Sequence, residues 1–103
     1  MSEVHVQVLY PHSDRFDWTY YIKEHMRMVG EEMDILHWSV AAGIDAAVPP
    51  AYQAVATLVF ESREKWLSSI TAVGPKLTAD IPNYTDAAPT LLVTEIRGGG
   101  KKA

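Results

Sequence analysis

Cysteine is absent from this 103-residue chain. That excludes disulfides, thiolate metal sites and a cysteine nucleophile. Cations are few, with nine Lys and Arg against thirteen Asp and Glu. The net charge of −4 and pI of about 5.4 leave no basic stripe for a nucleic-acid backbone. No run approaches the roughly 18 apolar residues that span a bilayer. The start, Met1-Ser2-Glu3-Val4-His5, has no basic segment followed by an apolar run, so no secretory leader is read and a cytoplasmic location is expected. There is no G-x-G-x-x-G, no phosphate-binding loop and no nucleophile elbow. The four histidines form no H-x-x-x-H pair. Neither a cofactor nor a metal is expected.

What is present fits a single globular domain, with 48% hydrophobic residues. The domain is expected over 1–97, with a polar, glycine-rich flexible tail over 98–103. Val4, Val6 and Val8 alternate with His5 and Gln7, predicting a strand from Glu3 to Tyr10. Pro11-His12-Ser13-Asp14 reads as a turn and Asp17 as a helix N-cap. Trp18, Tyr21, Ile22, His25, Met26, Val29 and Met33 then keep the spacing of one helical face, predicting a helix over 18–33. Strands follow at Leu36–Ala42 and Tyr52–Phe60, joined by a loop from Gly43 to Pro50. Ser62 caps a second helix with Trp66, Leu67, Ile70 and Val73 inward. Gly74-Pro75 is expected to interrupt it before a short turn over Lys76–Ala79. A last strand is predicted over Thr90–Arg97.

The order β-α-β-β-α-β specifies an α+β, ferredoxin-like domain with a four-stranded antiparallel sheet. Two helices cover one face of such a sheet. Yet Val55, Leu58, Val59, Phe60, Leu91, Leu92, Val93 and Ile96 put apolar groups on both faces of the later strands. An open apolar face is an interaction surface, and closing it on a second copy predicts a homodimer.

Three side chains stand out as catalytic candidates: His25, Tyr84 and Asp86. His25 lies within an apolar helical stripe, where it is either an inert core histidine or a proton shuttle. Asp80-Ile81-Pro82-Asn83-Tyr84-Thr85-Asp86 packs hydrogen-bonding and aromatic groups between a helix and a strand. Asp86 can orient an imidazole, and Tyr84 can donate from a buried phenol. The structural alternative makes Asp80 a cap, Asn83 a left-handed turn residue and Tyr84 a core plug. Tyr21, Trp38 and Asn83 are candidates to contact a substrate. His5 and Gln7 occupy the polar side of the first strand, and His12 and His37 are expected at the surface.

The same heptapeptide resembles the signature of the EthD family, named for ethyl tert-butyl ether degradation. So do Val6-Gln7-Val8-Leu9-Tyr10-Pro11, Phe16-Asp17 with Tyr20-Tyr21 and His25, and Pro50-Ala51-Tyr52. Family members often read H-x-P where this chain has His25-Met26-Arg27. The resemblance implies a dimeric α+β barrel and a link to oxidative breakdown of small organic compounds. On that basis the chain is expected to act on an apolar, oxygen-bearing organic molecule by proton transfer or cofactor-free oxidation. The alternatives are a non-catalytic protein that binds or delivers a small hydrophobic metabolite, and a purely structural dimer.

Overall fold

The computed structural model describes residues 2–102. Met1 and Ala103, at the ends of the expected domain and tail, lie outside the described residues. Strands β1 (Val4–Pro11), β2 (His37–Ala42), β3 (Tyr52–Phe60) and β4 (Thr90–Glu95) form one antiparallel sheet in the order β2-β3-β1-β4. The fold is α+β and ferredoxin-like, as the pattern predicts. Residues directly opposite in a ladder share a face. Val6 pairs with Leu58 and Val93, and Leu58 with Trp38, so this row faces the helices. His5 pairs with Val59 and Thr94, and Val59 with His37, so that row lies on the open face.

The first helix has three parts: α1 (Trp18–Tyr20), a π-helical turn over Tyr21–His25, and α2 (Met26–Glu32). Asp17 caps it, accepting from the Tyr20 N–H at 3.0 Å. The π turn adds a residue to one helical turn, a feature that recurs at functional sites. It keeps Tyr21, His25, Met26 and Val29 buried but pushes Ile22 out to 41% exposure. The expected place of Ile22 on the inward stripe is therefore corrected.

The second long helix, α3 (Arg63–Asp80), starts at the Ser62 cap, whose hydroxyl accepts from the Lys65 N–H. It runs unbroken through Gly74-Pro75, against expectation. The residue before a proline resists the helical region because its Cβ meets the ring, and Gly74 has none. Pro75 also deprives the Thr71 carbonyl of its donor, but both residues are exposed, where water can serve that carbonyl. Trp66, Ser69 and Val73 turn inward, whereas Leu67, also expected inside, is 47% exposed.

A 3-10 turn over Ile81–Asn83 follows α3 directly. Asn83 is therefore not left-handed; among the described residues the non-glycine position with positive φ is Ala47, at 70°. On the edge strand β4, Leu91 and Val93 on the helix-facing side and Leu92 on the open side are all about half exposed. The strand itself ends at Glu95, two residues before the predicted boundary.

Candidate functional site

The loop before α1 and the segment after α3 are tied together, and this tie sets the site. Phe16 bridges to Thr85, and the Asp17 N–H donates to the Tyr84 carbonyl at 2.8 Å. Arg15 donates to the Pro82 carbonyl and to Asp86. The Thr85 hydroxyl donates to the Arg15 carbonyl at 2.8 Å. The tie holds Tyr84 inside, where it is 0% exposed, with Thr85 beside it at 1%.

Inside, side chains from four elements form one hydrogen-bonded chain. The Tyr10 and Tyr84 hydroxyls are 2.6 Å apart. The Tyr84 hydroxyl is 3.4 Å from His25 Nε2. His25 Nδ1 is 2.9 Å from Asp80 Oδ2. The other carboxylate oxygen, Asp80 Oδ1, accepts from the Tyr20 hydroxyl at 2.6 Å and from Asn83 Nδ2 at 2.9 Å. Tyr21 stacks on His25 with ring centroids 5.7 Å apart.

The electrostatics fix the protonation of the pair. Burial lowers the His25 pKa from its ordinary 6.5, and this outweighs the upward pull of Asp80. Burial works to raise the pKa of Asp80, but hydrogen bonds from Tyr20, Asn83 and His25 hold it below the usual carboxylate value. Near neutral pH the pair is thus neutral imidazole and carboxylate. A carboxylate only accepts, so Nδ1 carries the proton and Nε2 presents a lone pair. Burial also pushes the Tyr10, Tyr21 and Tyr84 phenols up, so they stay protonated. The Tyr21 hydroxyl is a buried polar atom without a hydrogen-bond partner among the described residues.

A cavity of about 260 Å³ lies between the sheet, the first helix and α3. Val8, Ala56 and Leu58 form its floor, with Met26, Val29, Ile70 and Leu77 around the sides. His25, Tyr10 and Tyr21 line it as well. Its shape is that of a small-ligand site: apolar walls with a few convergent polar groups.

Of the six candidate site residues, the structure brings His25 and Tyr84 into contact and places His25 and Tyr21 on the cavity wall. Asp86, expected to orient His25, is exposed and paired with Arg15 at 2.9 Å. That orienting contact is made by Asp80 instead. Trp38 and Asn83 do not line the cavity. Trp38 packs toward α2, where a Cβ on Gly30 would meet its Nε1 at 3.2 Å. Asn83 braces Asp80 from the surface. The expected loop wall of the pocket comes down to Ile81, with Pro89 beyond it. Tyr10 and Tyr20 were not singled out as site residues. Tyr10 continues the Val4-Val6-Val8 alternation onto the buried face, which is the signal that reveals it.

No family model matches the chain, and no curated protein matches it. Solved structures do. An EthD-like protein from Ralstonia eutropha is 32% identical, with 92% of each chain covered and a TM-score of 0.80. The chain belongs to the EthD-like family. An EthD family protein from Bacillus halodurans shares the fold at 11% identity, over 94% of this chain and all of the other, with a TM-score of 0.68. So does a hydroxynitrile lyase from Passiflora edulis, at 9% identity, 97% coverage of both chains and a TM-score of 0.69.

Proposed function

We propose that this EthD-like protein is a small enzyme that moves a proton on a compact, apolar, oxygen-bearing organic molecule. The observation that carries the reading is His25: a neutral imidazole on the wall of an apolar cavity, oriented from behind by the partly buried Asp80. Nε2 takes the proton, and the imidazolium that forms sits 2.9 Å from a carboxylate, which stabilises it. Tyr84, next to Nε2, and Tyr10 beyond it offer a path along which the proton can be relayed.

The protein works as a homodimer in this reading. The open sheet face carries Leu9, Val55 and Leu92 beside polar Gln7 and Thr57. A second copy would cover these residues and the bare β4 edge.

Proton exchange tests the catalytic role. The α-protons of 2-tetralone should exchange into D2O faster with the protein than with His25→Gln, by on the order of a hundredfold. The variant should stay folded. If 2-tetralone binds but neither protein accelerates exchange, the chain is a binding or delivery protein instead.

A further inference from the structure

The polar end of the cavity accepts a hydrogen bond more readily than it donates one. Asp80 accepts from the Nδ1–H of His25, leaving Nε2 with a free lone pair. Of the phenol donors nearby, Tyr10 and Tyr84 are turned to one another, and the Tyr21 hydroxyl, without a partner among the described residues, is fully buried: Tyr10 is 1% exposed, Tyr21 and Tyr84 0%, against 5% for His25. The Tyr84 hydroxyl lies 2.6 Å from Tyr10 but 3.4 Å from Nε2, so its hold on that lone pair is weak. A ligand hydroxyl at ordinary distance displaces it, and Tyr84 then donates to Tyr10. None of the lining residues among those described is Lys or Arg. The nearby Arg15 is committed to Asp86 and the Pro82 carbonyl at the surface. An anionic ligand would meet no counter-ion and would lie close to the negative Asp80. Two other wall side chains carry a polar atom: Thr78 is exposed, and Trp66, an indole donor, is buried on α3, away from the His25 turn.

We propose that the cavity selects a neutral, compact apolar molecule through a single hydroxyl, a phenol or an enol, which donates to His25 Nε2. Ethers and carboxylates are discriminated against. An ether oxygen accepts but cannot donate, and a carboxylate is repelled. Full proton transfer breaks the ligand O–H bond and forms N–H on Nε2, leaving an oxyanion beside an imidazolium paired with Asp80. The inference deepens the functional reading and rests on the same cavity, but it concerns binding and needs no turnover.

Calorimetry or equilibrium dialysis with four probes tests it: 2-naphthol, 2-methoxynaphthalene, naphthalene and 2-naphthoate. The first should bind on the order of tenfold or more tighter than the methyl ether and the hydrocarbon. The carboxylate should not bind measurably. His25→Phe should keep affinity for naphthalene and lose the preference for the naphthol. Asp80→Asn lets Nε2 carry the proton, because an amide can donate to Nδ1. That variant should shift preference toward the methyl ether. Equal affinity for 2-naphthol and 2-methoxynaphthalene, tight naphthoate binding, or no saturable naphthol binding overturns the proposal. A naphthol preference without 2-tetralone exchange upholds it and removes the catalytic reading alone.

Discussion

His25 Nδ1 lies 2.9 Å from Oδ2 of Asp80, and both side chains are nearly buried, at 7% and 11% exposure. The pair joins the π-helical turn of the first helix to the last residue of α3, the two elements that flank the cavity. Asp80 is in turn held by Tyr20 and Asn83, so its orientation is over-determined.

Replacing Asp80 and replacing Asp86 should therefore differ. Asp80→Ala leaves the buried imidazole and the Tyr20 hydroxyl short of a partner and should cost about 1–3 kcal/mol. It should also suppress 2-tetralone exchange. Asp86→Ala breaks an exposed pair with Arg15, and surface pairs contribute little. Denaturant melts and exchange rates of the two variants check this. Equal losses would return the orienting role to Asp86.

Stability should depend on pH through His25. Its folded pKa lies below the ordinary 6.5, so the unfolded chain binds the proton more readily. The stability gained from burying the neutral ring is therefore present above pH 6.5. It is lost as pH falls from there toward the folded value. Asp80 works in the same direction at lower pH: its folded pKa is depressed, so its contribution fades as pH falls below the usual carboxylate range. Melting temperature should be flat above about pH 7 and decline below it. In His25→Phe the first part of that decline should vanish.

The architecture was legible because its signals are local and repeated. Val4, Val6 and Val8 alternate, Asp17 and Ser62 sit where helices begin, and the apolar stripe of the first helix contains His25. The unbroken helix through Gly74-Pro75 was not legible from the proline alone, because the glycine before it relieves the clash with the ring. The outward place of Ile22 was not legible, because nothing in a 3.6-residue period announces a π turn. The site was half legible. His25 and Tyr84 stood out as polar groups at inward positions. Asp86 stands only two residues from Tyr84 in sequence, yet it is exposed and held at the surface by Arg15. Asp80, read as a cap, reaches His25 because α3 runs one residue beyond its expected end.

The Tyr10–Tyr84 hydrogen bond should be measurable as a coupling. Tyr10→Phe and Tyr84→Phe each leave a buried hydroxyl without its partner and should each cost about 1–2 kcal/mol. The double variant removes both hydroxyls and should cost less than the sum. Urea unfolding of the four proteins closes the cycle. Additive losses would mean that the 2.6 Å contact contributes nothing of its own.

Tyr21→Phe should move stability the other way. The Tyr21 ring is 0% exposed and packs edge-on against Tyr10, Phe16 and Trp18. Phenylalanine keeps those contacts. What it removes is a hydroxyl with no hydrogen-bond partner among the described residues. Burying an unpaired hydroxyl costs about 1–3 kcal/mol, so its removal should leave stability unchanged or raise it within that range. The three phenols on this short path thus have opposite signs: loss at Tyr10 and Tyr84, none or gain at Tyr21. Thermal melts of the three single variants under one buffer separate them. A Tyr21→Phe protein destabilised as much as Tyr84→Phe would show that the Tyr21 hydroxyl has a partner in solution, and Tyr10, whose phenol adjoins it, would be the first to examine by a second double-variant cycle.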